Sequence, residues 1–512
     1  VRRLHRRGAA DPTANGAEMT TETKALLNRA VGLHKASQFD QAATAYLEVL
    51  QQAPDHFDAL HLLGVLRIHQ GRPQEGVALI VAALALRPGS AEAHFNLGVG
   101  LDAIGKLDDA IAAYDGALAH RPDYAEALNN RGNVLGKLAR YEEAADSYAR
   151  AVKVKPGYAD ARYNHGLGLI KLNRPEAAIS SFEALTAMCP NHIEGHFSLG
   201  LARLQAGSFA TGWPEYEWRL KRPNRAADAG RFDQPRWSGK ESLSDKVILV
   251  HAEQGFGDVI MFVRFLPHLA QAAKSVILEV PLPLKPLLEG CAGAAQTIAR
   301  GEKLPPFDLH CPLMSLALAF DTRLETIPAE VPYLRAPQER LAQWQARLAN
   351  MPQPRVGIAW SGSEKNTIDG SRSLTLDAIA ALRASGLPLI SLQKELRDHD
   401  RKTLEGLGDI RHFGDELRDF ADTAALISQL DLVVSVDTSV AHLAGALGKP
   451  VWILLPFSAD WRWLTDRGDS PWYPTARLFR QPAIGEWGAV IARVGSELKG
   501  LTGGGSPVAF RA

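Results

Sequence analysis

Cysteine is almost missing from this chain: Cys189, Cys291 and Cys311 are the three in 512 residues, and no two form a CxxC pair. That excludes a disulfide framework and a zinc-ribbon signature, and it fits a reducing cytoplasm, the compartment expected here. Long apolar runs are missing too. None reaches the ~18 residues that a membrane span needs, so no transmembrane segment is expected. Net charge is zero, with 57 basic and 57 acidic residues, which gives no electrostatic reason to expect nucleic acid as a partner. The opening "VRRLHRRGAADPTANGAEM" is basic but has no apolar stretch, so it is not a secretory signal. Residues 1–23 are expected to be a disordered basic arm, with Met19 an alternative start to Val1. HExxH, Walker-A and Ser-His-Asp patterns are absent, and no metal or other cofactor is expected. A chain this long exceeds what one core supports, so several domains are expected.

What is present first is repetition. Pro54, Pro88, Pro122, Pro156 and Pro190 stand 34 residues apart, as do Gly64, Gly98, Gly132, Gly166 and Gly200. Between them recur a small residue and a larger apolar one: Ala42/Tyr46, Gly76/Ile80, Ala110/Tyr114, Ala144/Tyr148 and Ala178/Phe182. Small residues let two helices approach closely, and the proline ends the second helix. This period resembles the tetratricopeptide repeat, with five full repeats and a sixth that diverges after Gly207. Repeats are placed at residues 24–218 and a connector at 219–244, where Trp213, Trp218 and Trp237 argue for a packed cap.

Asn96, Asn130 and Asn164 recur at the same period, with Leu62 and Ser198 interrupting the series on either side. An amide offers donors and an acceptor, so such a row could hold a peptide backbone without reading its sequence. The arrangement is similar to the asparagine ladder of the protein O-GlcNAc transferases and implies a protein or peptide partner in the groove. The alternative is that these asparagines are ordinary helix-surface residues.

From Lys246 the chain alternates short apolar runs with helical patterns, the mark of parallel sheets with crossover helices. "KVILVH", "SVILEV", "AQTIA" and "FDLHC" read as strands of one half, residues 245–350. "RVGIAW", "LPLISLQ", "DIRHFG", "DLVVSV" and "PVWILLP" read as strands of a second, residues 351–512. "GDVIMFVRFLPHLAQAA", "PLPLKPLLEGC" and "TLDAIAALRAS" read as helices. The whole is expected to be an α-solenoid of repeats followed by two Rossmann-like domains. In such open sheets ligands bind at the carboxyl ends of the strands.

Within this part, "DTSVAHLAGALGKPVWILLP" resembles the DTGxxHLAxALGxP signature of the ADP-heptose:lipopolysaccharide heptosyltransferases. "HAEQGFGDVIMFVRFLP" is similar to that family's first strand-to-helix turn, and "SGSEKNTIDGSRSLTLDAI" to its phosphate loop. The resemblance spans about residues 245–490. Repeats joined to such a domain resemble the bacterial tetratricopeptide-repeat glycosyltransferase-like proteins. The resemblance implies a GT-B fold, a nucleotide-sugar donor and transfer without a metal.

Residue by residue, Asp437 and Thr438 follow strand "DLVVSV" and open a helix whose free N–H groups favour an anion. His442 in its first turn either donates to a phosphate oxygen or is a hydrogen-bonded core histidine. Ser439 stands where the family carries glycine, so the donor site is either altered or weakened there. Asp258 in "EQGFGD" matches the family's general base, yet aspartate at a helix start is also a common cap. Glu253 and His251 are reserve bases, and Gln254, Gly255 and Gly257 complete a tight acceptor-side loop. Arg372, with Lys365 as its alternative, matches the family's basic residue for the donor diphosphate. Ser361, Gly362 and Ser363 could offer backbone donors, and Gln393 could touch the nucleotide base. Trp461, Trp463, Trp472 and Tyr473 either cap the second half or stack on a ligand. The reading is an inverting, metal-independent GT-B glycosyltransferase acting on a protein or glycan acceptor. Its rivals are a non-catalytic repeat scaffold with a degenerate nucleotide-sugar site and a nucleotide-sugar epimerase.

Overall fold

A computed structural model describes residues 20–223, 230–364 and 369–502. Most of the expected arm, together with Lys365, lies outside them. The chain divides into two compact units, Val1–Gly168 and Leu169–Ala512. The boundary falls inside the repeat array rather than in the 219–244 segment.

The first unit is built from helical hairpins: Thr21–Lys35 with Phe39–Gln52, Phe57–His69 with Pro73–Leu86, Ala91–Ala103 with Leu107–His120, and Ala125–Lys137 with Tyr141–Val154. The periodic glycines lie within the first helix of a hairpin and act by close approach. A Cβ on Gly98 would lie 2.6 Å from the Tyr114 ring, and one on Gly132 would lie 2.6 Å from Tyr148. A second periodicity marks the turn between the helices. Ser37, Gly71, Gly105, Ala139, Asn173 and Gly207 all have positive φ, each 34 residues from the next. An ordinary side chain in that region costs about 1–2 kcal/mol. Ala139, at φ 58°, therefore carries avoidable strain. Ala139→Gly is expected to stabilise the protein by about 0.5–1 kcal/mol, which chemical denaturation would measure. Ion pairs recur with the repeat as well: Arg87 with Asp58, Arg121 with Glu92, Lys155 with Glu126.

The second unit opens with Pro175–Met188 and a terminal hairpin, Ile193–Gln205 with Phe209–Tyr216. The sequence was expected to leave the repeat after Gly207, but the structure completes the hairpin with a short helix. Its Phe209, Trp213 and Tyr216 side chains enter the same core as the α/β region. Of the connector tryptophans, Trp213 and Trp237 are buried, while Trp218 is half-buried and stacks on His196 at 3.9 Å.

Two parallel sheets follow. The first joins β1 (Val247–His251), β2 (Ser275–Val280), β3 (Gln296–Ala299) and β4 (Leu309–Pro312) in the order β3-β2-β1-β4. The second contains β5 (Val356–Ala359), β6 (Leu389–Ser391), β7 (Arg411–His412), β8 (Leu432–Val436), β9 (Val451–Leu455) and β10 (Ala476–Arg480). Its order is β10-β9-β8-β5-β6-β7. Strand order reverses between β1 and β4 and between β5 and β8, the switch points where such sheets open a crevice. All the expected strands form, and β10 is added from a segment read as aromatic capping.

Three expected helices are broken. "GDVIMFVRFLPHLAQAA" becomes Phe256–Phe262, a 3-10 turn and Leu266–Ala272, because Pro267 has no N–H to continue the ladder. "PLPLKPLLEGC" holds only short turns around its three prolines, and "TLDAIAALRAS" tightens to a 3-10 helix after Ile379. Among the described residues no helix is long and apolar enough to cross a membrane.

Candidate functional site

The carboxyl ends of β1, β5 and β8 converge on a cleft of about 450 Å³. Gln254, Gly255, Gly257 and Asp258 line it from the loop after β1. Gly362, Ser363 and Arg372 line it after β5, and Asp437, Thr438, Ser439 and His442 after β8. Residues far apart in sequence are thus brought together. Three further lining residues carried no assignment: Phe256, Asp460 and Arg462.

Asp258 does two jobs. Its Oδ2 accepts the Gly255 N–H at 2.9 Å, closing the start of the helix, while Oδ1 pairs with Arg462. The capping and the charged role therefore coexist. Burial raises its carboxyl above the ordinary range, against the pull of Arg462. Gly257 packs directly against the other half of the cleft. A Cβ there would sit 2.8 Å from the His442 ring, so glycine is what lets the Phe256–Phe262 helix meet the helix Ser439–Ala446.

Thr438 begins that second helix, and no side chain caps its first turn. Its N–H groups face the cleft end of β8. Ser439 has no positive φ, so the backbone there does not require the family's glycine. His442 is 5% exposed, stacks on Trp463 at 5.3 Å and shares a 2.9 Å hydrogen bond between Nδ1 and the Tyr473 hydroxyl. Burial, then Arg462, Arg264 and Arg372, hold its pKa well below the ordinary value. The imidazole is therefore held in its neutral form, which still carries one N–H to donate. A ring whose Nδ1 accepts from Tyr473 carries its proton on Nε2, the nitrogen 3.8 Å from Asp437. Burial and the facing Asp460 carboxylate push Asp437 up to about 6.

The two cleft arginines keep hydrogen-bonding capacity beside their ion pairs. The Nε atoms of Arg372 and Arg462 are buried without a hydrogen-bond partner among the described residues. Arg372 has an ion pair with Asp369 at 3.8 Å, and Arg462 pairs with Asp258 and Asp460. The short helix Asp369–Arg372 is tied to its surroundings through Asp369 and Ser373. Ser373 donates to Asp369 at 2.7 Å and accepts the Gly362 N–H at 3.0 Å, and Arg397 also binds Asp369.

Several expected site residues are placed elsewhere. Gln393 accepts from the Trp360 and Ser361 N–H groups and donates to the Ser361 hydroxyl at 2.9 Å, so both side chains are spent on joining β5 to β6. Neither lines the cleft. Glu253 is buried against Arg219 at 2.9 Å, and His251 shares a 3.2 Å hydrogen bond with His310. Burial drives His251 down to about 3. Neither reserve base reaches the cleft. Trp461, Trp463, Trp472 and Tyr473 are all buried, so their capping reading holds rather than ligand stacking. In the first unit Asn164 donates to Asn129 and Asn133, Asn96 bonds His61, and Asn130 accepts from Asn129. The amides engage one another and their neighbours along the helices. Among the described residues no three His, Cys, Asp or Glu side chains group as a metal site.

Comparison with known proteins matches two separate parts of the chain. Residues 27–91, 70–125, 95–160 and 163–212 match the tetratricopeptide repeat. Residues 418–455 match glycosyltransferase family 9 (heptosyltransferase), a segment that includes Asp437 through His442 but not Asp258, Arg372 or Arg462. Protein FlbA of Caulobacter vibrioides is 29% identical over 323 residues, 58% of this chain and 53% of that protein. The chain thus spans about half the length of this curated relative. Among solved structures, MamA protein is 24% identical, covering 34% of this chain and 96% of that one, with a TM-score of 0.32. YrrB, described as a TPR protein with an unusual peptide-binding site, is 19% identical, covering 37% and 100%, with a TM-score of 0.33.

Proposed function

We propose that this chain, tetratricopeptide repeats joined to a heptosyltransferase-like part, is a GT-B glycosyltransferase that inverts configuration without a metal. It moves a sugar from a nucleotide sugar to an acceptor hydroxyl of a protein or glycan, in the cytoplasm. The observation that carries the reading is the meeting of two buried guanidiniums, whose Nε atoms make no hydrogen bond among the described residues, with an uncapped helix start around one cleft. A diphosphate is the anion that such a set suits.

In this reading Asp258 takes the proton from the acceptor hydroxyl. The oxygen attacks the anomeric carbon as the bond to the nucleoside diphosphate breaks. Arg372, Arg462 and the Thr438–Ser439 N–H groups receive the charge that develops on the leaving phosphate. Neutral His442 and Asp437 contact the donor beside it. The repeats hold the acceptor, which is a partner role common to such solenoids.

The charge balance sets a pH dependence. An ionised Asp437 repels the diphosphate, so donor binding is expected to tighten as pH falls from 7.5 through about 6, where Asp437 gains its proton. Nucleotide sugars do not themselves titrate in that window, so calorimetry reads the protein alone. The function is tested by mass spectrometry of glycosylated proteins and glycans from the host with and without this chain. A glycan species should disappear without it and return with the wild type but not with Asp258→Asn. An unchanged glycan profile would sink the reading.

A further inference from the structure

The turn that carries Asp460 and Arg462 is anchored by the terminal hairpin and by the end of the earlier repeat helix Ala159–Lys171. The Ser458 hydroxyl donates to the Ile170 carbonyl at 2.6 Å. Gln205, 3% exposed, donates to the Ala459 carbonyl at 3.3 Å. Trp461 meets the Trp213 ring edge-on at 5.3 Å and lies beside Phe209 and Tyr216. The opposite wall of the cleft is anchored by the same hairpin. Gln254 donates to the Tyr216 hydroxyl at 2.8 Å, and Arg219, just beyond the hairpin, holds Glu253.

We infer that Gln205 and Tyr216 of the terminal repeat are positioning residues for the cleft. Gln205 fixes the turn that aims Arg462, and Tyr216 fixes the loop that leads into Asp258. The terminal repeat is then a wall of the reaction site, and not only a place where an acceptor docks. Gln205 binds the carbonyl next to the lining residue Asp460, and Tyr216 binds the lining residue Gln254 itself, so a loosened anchor shifts the cleft wall directly. Misplacement of a reacting or charge-bearing group by about 1 Å can cost on the order of 10²-fold.

This rests on the cleft being a nucleotide-sugar site, and the test separates the two. The full chain carrying Gln205→Leu with Ser458→Ala, and separately Tyr216→Phe, is titrated with ADP, UDP, GDP and CDP. Hydrogen exchange is followed in residues 254–258 and 457–464. With the first variant, nucleoside diphosphate binding should weaken about tenfold and exchange should rise in 457–464 alone. With Tyr216→Phe, exchange should rise in 254–258 alone, and kcat should fall about tenfold with the donor KM unchanged. A structural role would raise exchange throughout and lower the melting temperature instead. If the wild type binds no nucleotide, the function reading fails, and the exchange pattern still decides the anchors. Unchanged exchange in both segments, or a uniform rise, overturns the inference.

Discussion

Asp258→Asn is expected to lower transfer by about 10²- to 10⁴-fold while leaving nucleotide-sugar affinity within a few-fold of the wild type. The variant keeps the shape of the side chain and can still accept the Gly255 N–H, so the helix start survives. It cannot accept a proton, and its amide cannot pair with Arg462. Burial raises the carboxyl of Asp258 in the wild type, which suits a base poised to take a proton. The fall in activity should therefore appear in kcat with donor KM little changed. Retained turnover would remove Asp258 as the base and leave it a helix cap.

Arg462→Met should be the most damaging single change for stability. It leaves Asp258 and Asp460 in a cleft from which their shared cation has gone. Breaking a buried pair from one side costs about 3 kcal/mol. The sign of its pH dependence follows from Asp258. Arg462 pulls that pKa down against burial, so its loss lets the folded-state value rise further above the unfolded one. A carboxyl with a raised folded pKa penalises folding above that pKa and is relieved as pH falls. The deficit at pH 7.5 should shrink toward pH 5, as urea denaturation at the two pH values would read. Donor affinity should fall about tenfold or more, in line with losing a charged hydrogen bond of roughly 1.5–3 kcal/mol. A deficit that grows on acidification would contradict the assignment.

The parts of this site that could be read in the sequence are those encoded locally. Asp437, Thr438 and His442 follow a strand and open a helix within eleven residues of chain, so their shared position is fixed by the backbone. The same holds for Asp258 after β1. Arg462 was missed because its neighbours, Trp461 and Trp463, dominate the stretch "DWRWL" and read as core. Its role depends on a partner 204 residues away, which no local pattern reports. Gln393 and Ser361 illustrate the opposite error. Both sit at strand ends near the crevice, but each satisfies the other's hydrogen bonds. His442 lines the cleft, but its depressed pKa had no signal in the sequence, since burial among three arginines is a property of packing. In the repeats, the 34-residue period was plain, yet the left-handed row from Ser37 to Gly207 contains Ser, Ala and Asn as well as glycine. Its residues share a backbone angle and no common chemistry.

The central claim is that two arginines and the Ser439–Ala446 helix form a diphosphate site. Thermal unfolding with ADP-, UDP-, GDP- and CMP-sugars, for the wild type and for Arg372→Gln with Arg462→Gln, tests it most directly. At least one nucleotide sugar should raise the wild-type melting temperature, and none should raise that of the double variant. No shift with any of the four in the wild type, or an equal shift in both proteins, would contradict it.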